Sequence, residues 1–170
     1  MTDFTLDDLR EQVAQHIQTA FADTPYPGDE RVAAYARHGD SIAEALVGQH
    51  WSEVNLDVLY QHRWEIFLLT PETFRFYVPV VMLAALYHRE VMGSLADNLI
   101  FSLTPQREEH VRNYFNGDYR DYFSRRAAEF NHDEKQAVLA FVTAFPRLSP
   151  GRLVYDIDIP TMTIPFWERA

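Results

Sequence analysis

The sequence predicts an all-α fold: one compact multi-helix domain over residues 1–150, followed by an extended C-terminal arm over residues 151–170 that packs on the same domain or on a partner. Three observations carry this. Apolar residues recur at helical spacing through most of the chain, helix-capping residues precede these runs, and period-two alternation is confined to the tail. With 170 residues and 47% hydrophobic residues the chain should bury roughly 70% of the surface its unfolded form exposes. Twelve Phe, nine Tyr and three Trp argue against disorder despite 24% charged residues.

Leu6, Leu9, Val13, Ile17 and Phe21 form the first apolar stripe, and Thr5 with Asp8 has the spacing of a capping box. Pro25, Pro27 and Gly28 then break the helix, and Asp29 can cap a short helix over ERVAAYAR. His38-Gly39 ends that segment; Asp40 or Ser41 starts another. Asn55 caps a further helix predicted over NLDVLYQHRWEIFLL. In TPETFRFYVPVVMLAALYHRE, Thr70 and Pro71 open a helix, and Pro79 lies in the most apolar part of the chain. Proline has no N–H and crowds the preceding turn, so two half-helices are expected around it. The apolar run from Val78 to Tyr87 has about half the length needed to span a bilayer. It predicts a buried core helix and no membrane association.

Gly93-Ser94 signals a stop and restart before LADNLIFSL, and TPQREEHVRNYF repeats the Thr-Pro opening. Asn116-Gly117 marks a turn before DYRDYFSRRAAEF. Asn131 and Glu134 have capping-box spacing, and Pro146 should end the helix they begin. In the tail, Leu153, Tyr155, Ile157 and Ile159 alternate, which predicts an extended arm or edge strand interrupted by Pro160 and Pro165.

Gly48 and Trp51 in GQHW, the stretch FLLTPETFRFYVP and the late helix DEKQAVLAFV together resemble a small bacterial domain family of unknown function. Its pattern is Gly-x-x-Trp followed by Phe-Leu-x-Thr-Pro-x-x-Phe-Arg-x-Tyr-x-Pro, the last two x being Tyr and Leu in the family. The resemblance covers roughly residues 6 to 145, with Phe76 and Val78 where the family pattern has Tyr and Leu. It implies a fold unit and no activity.

Composition removes several chemistries. Without cysteine there are no disulfides, thiolate metal sites or cysteine nucleophiles. The acidic start MTDFTLDDLR lacks the basic and apolar segments of a secretory signal, which makes the cytoplasm the expected compartment. A net charge of −10 disfavours nucleic acid and anionic membranes and favours a basic partner. Glu129 and His132 have metal-ligand spacing, but the capping Asn131 lies between them; His62 and Glu65 run in the reverse order without a companion pair. No metal and no cofactor are expected. Neither Gly-x-Ser-x-Gly nor a phosphate loop occurs.

Two candidate sites remain. The first is a partner-binding surface in NYFNGDYRDYF, where helical spacing cannot bury every ring on one stripe. Tyr114, Asp118, Tyr119, Asp121 and Tyr122 would serve it; a second segment of this kind is YDIDIP in the tail, where Asp156 and Asp158 would face solvent while Tyr155, Ile157 and Ile159 pack, or the arm would add to a partner's sheet. The implied function is protein binding, in its most concrete form an acidic immunity or antitoxin-like inhibitor of a basic toxin. The alternative is a small enzyme whose polar pocket gathers Arg75, Tyr77, His62 and Glu65. In a purely structural role Arg75 would pair with a carboxylate such as Glu65 or Glu72, while Tyr77 packs.

Overall fold

The computed structural model describes residues 4–34, 39–105, 119–151 and 157–170, and for Tyr119, Arg120 and Asp121 the backbone alone. The helices are α1 (Leu6–Ala20), α2 (Asp40–Leu46), α3 (Leu56–Gln61), α4 (Pro71–Tyr87), α5 (Arg89–Met92), α6 (Leu95–Ser102), α7 (Tyr119–Glu129), α8 (His132–Leu148) and α9 (Ile164–Trp167). Short 3-10 turns lie at Asp29–Arg31, Trp51–Glu53 and Ile66–Leu68. Among the described residues the only β pairing is one antiparallel bridge between Ala34 and Leu69. The all-α expectation holds.

Three expected caps form, whereas Thr70 opens α4 without a side-chain cap bond. Thr5 and Asp8 bond reciprocally at the start of α1, as do Asn131 and Glu134 at the start of α8. The side chain of Asn55 accepts from the Asp57 amide. Each satisfies backbone donors that a helix N-terminus would otherwise leave unpaired.

At the centre runs α4, with buried residues on all sides from Thr73 to Leu86 and α1, α6, α7 and α8 packed around it. A helix apolar all round can be stable only inside such a ring. It is one continuous helix of 17 residues, which corrects the expectation of two half-helices at Pro79. Proline removes one ladder bond, but Tyr77, Val78, Val80 and Val81 around it are all buried, and their packing holds the trace.

Other boundaries differ too. The segment after Asp29 is a single 3-10 turn that passes into extended chain at Val32. Residues 35–38 of the predicted helix lie outside the described residues. α3 stops at Gln61, and the chain turns through residues 62–65, where the Asn98 amide donates to the Arg63 carbonyl at 2.6 Å. The stretch after Pro79 breaks at His88, so α5 is separate from α4. Pro146 sits inside α8, which continues to Leu148. The predicted TPQREEHVRNYF helix falls largely outside the described residues.

The tail is the largest correction. Residues 157–170 are not an extended arm: a wide helical turn at Ile159–Thr163 runs into α9. Pro160 and Pro165 each fall in the first turn of their segment, where a missing N–H breaks no bond. The Trp167 indole donates to the Leu103 carbonyl at 2.7 Å, and the Thr104 and Thr163 hydroxyls meet at 2.7 Å. Trp167 packs edge-on against Phe130 and Phe123, so the tail completes the same core as the helices.

Candidate functional site

The four residues of the enzyme alternative divide between three structural tasks. Glu65 accepts from the Ser41 hydroxyl at 2.6 Å, the Ile42 amide at 3.2 Å and His62 Nδ1 at 3.3 Å. Its carboxylate therefore caps the N-terminus of α2 from across the chain, where negative charge is favoured. Serine and histidine both contact the carboxylate, whereas nucleophilic catalysis needs the histidine against the serine. Arg75 pairs with neither Glu65 nor Glu72. It meets Glu134 through Nε at 2.8 Å and Nη2 at 3.0 Å, and Glu72 is taken by Arg31 at 3.0 Å. Tyr77 is fully buried, with its hydroxyl bonded to the carbonyls of Leu46 at 2.6 Å and Gln49 at 2.9 Å. Burial, with Tyr26 alongside, raises its pKa well above the ordinary tyrosine value. His62 with Glu65, Arg75 with Glu134, and Tyr77 with the carbonyls of Leu46 and Gln49 are separate clusters. None of the four lines the clefts described below.

Of the predicted partner surface, Tyr114, Asp118 and Asp156 lie outside the described residues, and Tyr119 and Asp121 lie on the first turn of α7. Tyr122 is buried, with its hydroxyl donating to the Leu69 carbonyl and its ring below the Arg126 guanidinium. It belongs to the core and offers no surface. Asp158 is exposed, as expected for the tail.

Arg126 shows why Tyr122 turned inward. Its guanidinium is 1% exposed, lies 3.9 Å from the Phe74 ring centre, and donates to the carbonyls of Phe67 at 2.7 Å and Ser102 at 3.2 Å. Two aromatic faces and carbonyls at the ends of helical segments together stabilise this buried cation.

Another group of exposed apolar side chains lies elsewhere. Tyr60 at the end of α3, Tyr87 at the end of α4 and Val91 in α5 are 43%, 43% and 66% exposed. They line two adjoining clefts with His88 and Val91 as the shared wall. The smaller, about 380 Å³, is floored by Leu56 and Met92 and edged by Asp57; the larger, about 500 Å³, is bordered by Arg10, Arg89, Glu90 and the end of α8. The Tyr87 hydroxyl donates to Glu11 at 2.7 Å, and partial burial with that carboxylate pushes its pKa up to about 12. The arrangement exists because His88, with φ −130°, ends α4 and sets α5 off as a separate turn. Sequence reading missed it, although an apolar Val91 directly after His88-Arg89-Glu90 was its visible sign.

Chemically, these clefts offer aromatic area, one imidazole and charges of both signs. Among the described residues no group of three His, Asp or Glu side chains could hold a metal ion, and no helix is long and apolar enough to cross a membrane. Fold and site together define an all-α protein built around a buried central helix, with an aromatic and charged shelf at one end of that helix. The chain belongs to DUF6714, a family of unknown function, whose pattern matches residues 9–169. No curated protein and no solved structure matches the chain.

Proposed function

We propose that this protein is a protein-binding module that engages a basic partner through the shelf of Tyr60, Tyr87 and Val91. The observation that carries the reading is three large side chains exposed side by side around His88, with Asp57, Glu90 and Glu11 at their edges. Contiguous exposed apolar residues with a polar rim are typical of interaction sites, and tyrosine is among the side chains that dominate binding energy. Acidic edges on a chain of net charge −10 would speed encounter with a positively charged partner and repel acidic ones. The most concrete form of this reading is an immunity or antitoxin-like inhibitor that covers the basic cleft of a toxin in the cytoplasm.

The test compares proteins retained from extracts of the native host by the wild-type chain and by a folded Tyr60→Ala/Val91→Asp variant. The expected result is a basic protein held by the wild type, released by salt, and lost from the variant. The same retained proteins on both columns, or only acidic ones, would overturn the reading. If the retained protein has a toxic activity, adding the purified chain should suppress it.

A further inference from the structure

We propose that the larger cleft beside His88 is a carboxylate-binding site built on Arg10 and Arg89. In this acidic chain, two guanidinium groups and an imidazole line one concavity. Arginine carries five N–H donors in a fork that fits a carboxylate with two parallel bonds, as Arg75 does with Glu134. Neither cleft arginine is matched in this way. Arg10 reaches one oxygen of Asp7, and its Nε is buried with no hydrogen-bond partner. Arg89 approaches Asp97 only to 3.9 Å, beyond hydrogen-bond distance, and its Nη1 is likewise unpartnered. The Arg89 guanidinium instead lies over the Phe145 ring, 5.0 Å from its centre.

The unpartnered atoms are themselves covered. They mark guanidinium groups that each meet an internal carboxylate, Asp7 or Asp97, through one nitrogen and leave another donor unused, while about a quarter of each side chain remains exposed, 26% for Arg10 and 24% for Arg89. His88 and Glu90, on either side of Arg89 in α5 and its cap, line the same cleft, and Glu11 of α1 is engaged by the Tyr87 hydroxyl. Leu86, Leu148 and Pro150 supply an apolar border. The ligand class that fits is a carboxylate attached to an apolar group. A free apolar acid and the C-terminal residue of a polypeptide share this chemistry. The inference stands apart from the docking reading, because such a ligand would bind the purified chain with no protein partner present.

The experiment titrates the purified full chain with N-acetyl-leucine and its amide, and with a tetrapeptide ending in leucine as free acid and as amide. Calorimetry gives the affinities, and the Nε–H resonances of Arg10 and Arg89 locate the contact. Both acids should bind at least about tenfold more tightly than their amides, and Arg10→Gln and Arg89→Gln should each weaken acid binding by about tenfold or more. Tight binding of both acids assigns free acids as ligands; binding of the peptide acid alone assigns a polypeptide terminus. Equal binding of acid and amide, no binding of either acid, or full affinity in a folded Gln variant would overturn the proposal. If the Gln variants fail to fold, the acid-against-amide comparison in the native protein decides.

Discussion

Arg75 of the central helix grips Glu134, 59 residues later, through two parallel hydrogen bonds, and the same carboxylate accepts from the Thr24 hydroxyl at 2.6 Å and the Asn131 amide at 2.9 Å. Glu134 is thus at once the capping residue of α8 and the ion that ties α8 to α4 and to the end of α1. It is fully buried, and Arg75 is one-fifth exposed. Removing one member of such a pair strands the other away from water.

Glu134→Ala should therefore destabilise the fold by about 3–5 kcal/mol, well beyond the roughly 1 kcal/mol of a lost cap. Urea unfolding of the two single variants, Glu134→Ala and Arg75→Ala, and of the double variant checks this. The double variant should lose much less than the sum of the singles, because neither charge is left alone.

Gly39 occupies a close approach: a Cβ there would lie 2.7 Å from the Ala34 Cβ and 2.9 Å from the Leu68 Cβ. These atoms are fixed to their backbones and cannot swing aside. Gly39→Ala should cost about 1–3 kcal/mol in thermal or urea unfolding, and adding Ala34→Gly should recover part of it.

Tyr77 couples stability to alkaline pH. Burial raises its folded-state pKa above the unfolded value of 10.0, so the folded chain holds this proton more tightly. The resulting stability is complete below pH 10 and is lost as pH rises through the raised folded value. Tyr77→Phe should flatten that alkaline loss. At neutral pH it should cost about 1–3 kcal/mol by removing the hydroxyl donor from the carbonyls of Gln49 and Leu46, of which Leu46 keeps a bond from the Gln49 amide.

Asp8 acts at the opposite end of the scale. The Thr5 backbone N–H, then the Thr5 hydroxyl, holds its carboxyl below the ordinary 3.8. The stability this cap supplies is present above pH 3.8 and disappears as pH falls through the lowered value. Amide exchange in the first turn of α1 should accelerate over that acid range in the wild type, and Asp8→Asn should remove the dependence.

Trp167 tests whether the tail is structural. Its ring fills the space beside Phe123 and Phe130, and its indole N–H is satisfied by Leu103. Trp167→Ala should cost about 3–5 kcal/mol, a core-sized loss; a cost below about 0.5 kcal/mol in urea unfolding would show the tail to be dispensable.

What the chain determined by itself is local. The Thr5–Asp8 and Asn131–Glu134 boxes, the Thr70-Pro71 opening and the uninterrupted apolar run of α4 are set by neighbours within a few residues, and all could be read directly. What only the tertiary structure decided depends on groups far apart in sequence. It carried α4 through Pro79, chose Glu134 over Glu65 and Glu72 as the partner of Arg75, drew Tyr122 inward beneath Arg126, and coiled the tail onto Leu103. The candidate site belongs to this second class. The exposure of Tyr60, Tyr87 and Val91 is set around the break at His88 between α4 and α5, because helical periodicity records which residues share a face but not whether another element covers it.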